Sequence, residues 1–320
     1  MSHAMAVAGH EAVEARFTEA MAQGRLHHAW LLYGLKGIGK HMLAEKLAGI
    51  MVCEHHSACG RCHGCLMLAA GSHPDVYRVA LIEGKRDVNI EQVREMLAFL
   101  ALSTSQGERR IVILDDAERM NNQAANALLK GLEEPAAGSM LLMVCADLMR
   151  LPATIRSRCM LQQCTPLADE TVRGILSLQL GDDVTPEQLT LATELAKGCP
   201  GTVHSLQDKK VAGALLSWRQ LVHELAQADI GMLENWIGQF VAMVPHDLII
   251  SLLLAPVYPR LQQAGDAKGF VAAETLHQAA HACARWPADV VRSSLRAGPT
   301  LLAHVMTLRA ALRSCSQSGR

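Results

Sequence analysis
Residues 34–41 read Gly-Leu-Lys-Gly-Ile-Gly-Lys-His. Gly34, Gly37 and Gly39 let backbone N–H groups close around phosphate oxygens, and Lys40 adds a point charge for the outer phosphates. This pattern normally ends in Ser or Thr, whose hydroxyl holds Mg²⁺. His41 takes that place here, and an imidazole is a poor ligand for a hard, oxygen-seeking ion. The loop is built for nucleotide phosphates but lacks a part that hydrolysis needs.

A second set of residues belongs to the same chemistry. Ile111-Val112-Ile113-Leu114-Asp115-Asp116 is an apolar strand ending in paired acids. Downstream of a phosphate loop, the first acid holds Mg²⁺ through water and the second polarises the attacking water. The alternative is a strand end that merely caps the next helix. Asp116 is one methylene shorter than the usual Glu, which further compromises water activation.

Cys53, Cys59, Cys62 and Cys65 form a C-x₅-C-x₂-C-x₂-C cluster. Such short loops bring thiolates to tetrahedral zinc distance, and four soft ligands leave no open position. The spacing predicts a closed structural Zn²⁺ site. A redox dithiol is the alternative, disfavoured by the intervening Gly60 and Gly64. His55, His56 and His63 lie near enough to compete as ligands. The other histidines, including His27-His28, show no metal spacing.

These residues need elements to hold them. Ala29 to Tyr33 reads as a strand feeding the loop, and Lys40 to Val52 as a helix. Asp75 to Ile82 is a strand. Asn89 caps a helix running to about Leu102, with Gln92 completing a capping box. Ile111 to Leu114 is a buried strand, Asn121 to Glu134 a helix stopped by Pro135, and Ser139 to Cys145 an apolar strand of the parallel type. A further strand covers Met160 to Gln163. Alternating strands and helices imply a parallel sheet covered on both faces. From about Pro166 the strand signal ends: Asp169 to Leu180 and Pro186 to Lys197 are helical. From Lys209 the chain is helical to its end, with breaks expected near Gly231, Pro245, Pro259, Gly269, Pro287 and Pro299.

Composition excludes several functions. The 320 residues are 50% hydrophobic and 19% charged, which is globular rather than disordered. A net charge of −1 argues against a broad basic surface for nucleic acid. At 3%, aromatic residues are too few for base-stacking platforms. Met1 to Gly9 has no secretory pattern, and the apolar stretch Leu248 to Val257 is too short to span a bilayer. Of ten cysteines, four cluster and six scatter through apolar segments, which fits a reduced compartment. The expected location is the cytoplasm, with no membrane partner.

Ser157-Arg158-Cys159 follows a short helix, and by composition alone Arg158 is a solvated surface residue. Together with the cysteine cluster and the run Ala125-Asn126-Ala127-Leu128-Leu129-Lys130-Gly131-Leu132-Glu133-Glu134-Pro135, it resembles the bacterial DNA polymerase III clamp-loader subunits of the AAA+ superfamily, their delta-prime branch most. The resemblance covers about the first two-thirds of the chain.

It implies three domains: an AAA+ phosphate-loop domain at 1–165 with the zinc module at 53–65, a helical lid at 166–207, and an all-α oligomerisation collar at 208–320. It further implies a stator that holds the loader ring without hydrolysing ATP and lends Arg158 in trans to a neighbour's nucleotide. The implied partners are the motor subunits (gamma/tau), the delta subunit and, through the assembly, the sliding clamp and primer-template DNA of a DNA-directed DNA polymerase. Relative to the motor subunits, four parts of the site are altered: His41, Asp116, Cys145-Ala146 on the sensor strand, and the absence of Arg between Gly198 and Leu206. Whether Gly34, Gly37, Gly39, Lys40 and Asp115 still take nucleotide stays open. Two rivals stand beside this reading. An active motor ATPase is opposed by those alterations and by the chain's length, and a stand-alone zinc-containing nucleic-acid binder by the near-neutral charge.

Overall fold
The computed structural model describes residues 7–105, 108–181, 183–263 and 270–318. The chain divides into two compact units, Met1–Ile175 with Lys197–Gly201, and Leu176–Ala196 with Thr202–Arg320. The expected break at Gly269 and the reading of Met1 to Ala6 lie outside the described residues.

The first unit is α/β. Its elements are α1 (Glu11–Ala22), β1 (Ala29–Tyr33), α2 (Lys40–Val52), α3 (His63–Ala69), β2 (Val76–Val79), α4 (Ile90–Leu100), β3 (Arg110–Leu114), α5 (Asn122–Glu133), β4 (Ser139–Cys145), α6 (Ala153–Arg156) and β5 (Met160–Gln163). The strands form one parallel sheet in the order β2-β3-β4-β1-β5. All seven residues of β4 and all five of β3 are buried, as strands covered on both faces must be. β2 is shorter than its apolar pattern suggests.

The local starts and stops follow the side chains. Asn89 and Gln92 close a full capping box on α4. The Asn121 carboxamide accepts from the Ala124 N–H at the start of α5. On the sheet, Leu31, Leu114, Leu141 and Met143 pack with Val93, Met96, Ala124 and Leu128 of α4 and α5.

Sheet order explains where the chemistry gathers. β3, β4 and β1 are neighbours, so their carboxyl ends bring together Asp115-Asp116, Cys145-Ala146 and the loop after Tyr33. Crevices outside the carboxyl ends of parallel strands are where such folds hold ligands.

The second unit is helical. It takes the end of α7 (Asp169–Leu180), then α8 (Pro186–Ala196), α9 (Lys209–His223), α10 (Ile230–Phe240), α11 (His246–Leu254), α12 (Val257–Gln263), α13 (Phe270–Ser293) and α14 (Ala297–Ser318). Its buried tryptophans each find an acceptor: Trp218 Nε1 donates to the Ile249 carbonyl, Trp236 Nε1 to Ala214, and Trp286 Nε1 to Thr300 Oγ1. No described helix is long and apolar enough to cross a membrane.

Four expected breaks fall inside helices. Pro259 and Pro299 occupy the third residue of α12 and α14, and Gly231 the second of α10. First-turn N–H groups have no partner within the helix, so proline loses nothing there. Pro287 is interior to α13. The adjoining Trp286 is fully buried and bonded to α14, and this packing outweighs the lost backbone bond. Pro245 does mark a helix start, as the N-cap of α11.

Candidate functional site
The loop after β1 adopts a cradle that only glycine accommodates without strain. Gly34, Gly37 and Gly39 have φ of +149°, +78° and +97°. A Cβ on Gly34 would stand 2.3 Å from the Cys164 carbonyl oxygen. The cradle is braced on two sides. The buried His10 ring donates through Nε2 to the Ile38 carbonyl at 2.9 Å, and the Gly201 N–H donates to the Gly37 carbonyl at 2.8 Å. Gly201 lies so close that a Cβ there would meet Gly37 backbone at 3.0 Å.

Lys40 is buried, and its ammonium donates to the Gly34 and Leu35 carbonyls at 2.8 and 2.7 Å. It therefore sits against its own loop. Burial lowers its pKa, with the surrounding Cys164, Glu118, Cys145 and Asp115 pulling the other way.

His41 occupies the place of the magnesium hydroxyl and turns onto the first acid. Its Nδ1 lies 3.0 Å from Asp115 Oδ2, and Nε2 lies 3.8 Å from Glu45 Oε1. Glu45 in turn takes a forked bond from Arg78, at 2.6 and 2.8 Å. The hydrogen bond to Asp115 raises the imidazole pKa against the opposing effect of burial. Burial pushes the Asp115 carboxyl up, but the His41 bond, the Asp116 N–H and the nearby cations bring it below its usual value. Where a hydroxyl would ligate a metal, an imidazole instead engages the first acid.

The remaining parts are altered in the same sense. Asp116 carries a left-handed backbone, φ +47°, and its carboxyl is raised by burial and by the Asp115 and Glu118 charges. At the end of β4, Cys145 is buried, which pushes its thiol up to about 12. The next N–H, of Ala146, donates to Glu118 Oε1 at 3.0 Å. Glu118 thus ties the end of β4 to the segment after β3. Sequence reading misses this role, because three residues past Asp115 nothing distinguishes Glu118 from a surface acid.

The four cysteines converge. Cys53 ends α2, Cys62 caps α3 and Cys65 lies in its first turn, so two helix ends hold three of the four. The four sulfurs lie within 4.8 Å of one another, with Cys62–Cys53 at 3.9 Å and Cys59–Cys65 at 4.0 Å. A tetrahedron of thiolates with Zn–S bonds of about 2.3 Å has edges of about 3.8 Å, so the spacing fits. None is in a disulfide. N–H groups of His55 and Cys62 donate to Cys53 and Cys59 sulfur, both at 3.4 Å, the kind of outer bond that steadies a metal thiolate. Against burial, N–H bonds from Cys59, Ser57 and His55 bring the Cys53 thiol down to about 5. His56 and Ala58 take positive φ, and Gly64 passes the Val52 carbonyl so closely that a Cβ would sit 2.2 Å from it. This cluster can hold a metal ion. His55, His56 and His63 are outside the converging set.

Arg158 stands apart from both clusters, between α6 and β5. Its side chain is half-exposed and pairs with Glu133 at 2.7 Å, rather than pointing unpaired into solvent.

Comparison with known proteins places the first half of the chain in a family. The family model for "DNA polymerase III, delta subunit" matches residues 9–168. The DNA polymerase III subunit delta′ of Pseudomonas aeruginosa is 39% identical over 58% of this chain and 57% of its own length. That of Escherichia coli is 36% identical over 57% and 55%. The tau/gamma subunit of Haemophilus influenzae is 27% identical over 86% of this chain and 40% of its own. The chain thus spans about half the length of the curated delta′ relatives it matches. Among solved structures, a gamma-subunit-related protein of Thermotoga maritima aligns with TM-score 0.49 and 16% identity, over 94% of this chain and 98% of that one. The phosphate cradle, the four-cysteine knuckle and the matched segment together establish that this chain belongs to the DNA polymerase III delta-subunit family, on its delta′ branch.

Proposed function
We propose that this chain is the non-hydrolysing stator of a DNA polymerase III clamp loader. In this role it works with gamma/tau motor subunits and a delta subunit to load the sliding clamp onto primed DNA in the cytoplasm. The observation that carries the reading is the His41–Asp115 pair. The acid that elsewhere serves Mg²⁺ is engaged by a side chain of this protein, 3.0 Å away. Asp116, Cys145-Ala146 and the inward-folded Lys40 support it, since each removes a separate part of phosphoryl transfer.

Within this reading, residues 1–165 form the AAA+ domain, 166–207 the lid and 208–320 the collar. Cys53, Cys59, Cys62 and Cys65 hold one structural Zn²⁺ that fixes the insertion after α2. Arg158 serves a neighbour's nucleotide. A guanidinium at a terminal phosphate stabilises the charge that develops during transfer, an effect worth about 10³–10⁵ in rate.

The test is ATP turnover by the purified chain, alone and then mixed with motor subunits. We expect none alone. Turnover at motor-subunit rates by the isolated protein defeats the stator reading. Arg158→Ala in an assembled loader is expected to lower clamp-stimulated, DNA-dependent ATPase partially and clamp loading more, because loading needs the ring to act together. Unchanged activity in an intact complex leaves Arg158 without a trans role.

A further inference from the structure
The two sequence runs Leu128 to Pro135 and Ser157 to Cys159, far apart in the chain, meet at one ion pair. Glu133, the last residue of α5, accepts Arg158 Nη2 at 2.7 Å. Arg158 Nη1 donates to the Thr154 carbonyl at 3.0 Å and to the Ser157 hydroxyl at 3.4 Å. The guanidinium is thus held at three points. Its side chain is 36% exposed and that of Glu133 52%, so a group on another chain can reach both.

The backbone beneath is fixed independently of this pair. The Arg158 N–H donates to the Ile155 carbonyl at 3.0 Å, and the Cys159 N–H to Arg156 at 3.4 Å. The Cys159 thiol donates to Ile155 at 3.1 Å. Arg158 can therefore leave Glu133 by side-chain rotation alone. Glu133 also sits where a carboxylate is least welcome, at the negative end of α5 and next to Glu134. Lys130, one turn earlier, offsets part of this.

We propose that Glu133 is a positioning residue for Arg158. Its carboxylate occupies the guanidinium until the terminal phosphate of a nucleotide on the neighbouring subunit displaces it. The inference rests on the trans role of Arg158 proposed above. A carboxylate carries one negative charge and a terminal phosphate more, and arginine forks onto either. The phosphate therefore wins when it is near, and Glu133 wins when it is not. No bond forms or breaks. Because exposed ion pairs are weak, this is a bias and not a lock.

The experiment uses the assembled loader carrying Glu133→Gln, which keeps the shape and removes the charge. ATPase without clamp or primed DNA is expected to rise about 2- to 5-fold, the equilibrium factor of an exposed ion pair. The apparent KM for ATP should fall by a similar factor, while the maximal rate with clamp and DNA stays put. Glu133→Asp, with the charge drawn back by one methylene, should fall between. A purely structural role would instead lower the melting temperature of the isolated chain and the maximal rate together, and that outcome overturns the proposal. Arg158→Ala is measured in parallel. If it impairs the loader while Glu133→Gln matches wild type, the trans role stands and the role of Glu133 is refuted. If Arg158→Ala has no effect, the trans role fails first and Glu133 has nothing to position. Should the glutamine variant not assemble, an unchanged KM in Glu133→Asp decides against the proposal.

Discussion

The phosphate loop and the cysteine knuckle are two cradles in one α/β unit, joined by α2, and they have diverged in what they cradle. Both rest on glycines with no room for a side chain: Gly34 against the Cys164 carbonyl and Gly64 against that of Val52. In the knuckle, four sulfurs converge to within 4.8 Å of one another. In the loop, the chemistry is answered from within. Lys40 bonds the loop's carbonyls and His41 bonds Asp115. The contrast teaches that backbone shape and ligand chemistry are maintained by different forces. The loop keeps its form because the sheet, His10 and Gly201 hold it, whatever happens to its substrate.

The largest effect that can sharpen this contrast is loss of one of the four converging thiols. Cys62→Ser removes one of four thiolates and should strip the protein of about one equivalent of zinc. Apparent binding energies for structural zinc in finger peptides are roughly 10–16 kcal/mol, and the share coupled to folding of residues 53–69 is lost with it. Metal analysis and limited proteolysis of protein purified without added zinc read the outcome. A metal-free, fully folded wild type with four titratable thiols breaks the comparison altogether.

Next come the glycines. Gly64→Ala and Gly34→Ala should each cost about 1–3 kcal/mol by forcing a methyl group into backbone. Urea denaturation should find the two losses similar. Their consequences should differ: Gly64→Ala weakens zinc retention against a chelator, whereas Gly34→Ala changes stability without any loss of ATP turnover by the isolated chain. Turnover that Gly34→Ala abolishes would mean the loop is still at work.

Smaller again is His41→Thr, which restores the magnesium hydroxyl. The half-exposed His41–Asp115 pair contributes at most about 1 kcal/mol, so stability should hardly move. Turnover should stay absent, because Asp116 and Cys145-Ala146 are unchanged. Hydrolysis rescued by this single substitution shows the other alterations to be tolerated variants.

The smallest effect is the pH dependence of that pair. His41 has a raised pKa in the folded chain, so its contribution is complete below the ordinary imidazole value of about 6.5 and is lost as pH rises through the raised value. Asp115 has a lowered pKa, so at the acid end the pair persists until pH falls below the usual carboxylate range. The stability difference between wild type and His41→Ala should therefore shrink from pH 6 towards pH 9. A difference that grows over that range contradicts the assigned geometry.

Much of the site was legible in the sequence because its signals are local. The C-x₂-C steps, the glycine spacing and the Asn89–Gln92 capping box act over a few residues, where bond geometry leaves little freedom. The helix breaks were less legible. Pro259 and Pro299 read as stops, yet a proline in a first turn and one before a helix look alike until the start of the helix is known. Pro287 was overridden by burial of Trp286 against α14, a contact between residues 14 apart.

By itself, the sequence determined the parallel α/β class, the spacing that lets four cysteines converge and the glycine pattern of the loop with His41 at its end. Each follows from periodicity or from spacing within about a dozen residues. Only the tertiary structure decided what became of the defects. The order β2-β3-β4-β1-β5 sets β3 and β1 on either side of β4, and that adjacency lets His41 reach Asp115, 74 positions away in the numbering. The same holds for Glu118 on Ala146 and Glu133 on Arg158. Polar contacts between distant segments leave no periodic trace, because any acid and any donor satisfy the pattern until the fold brings two of them within about 3 Å.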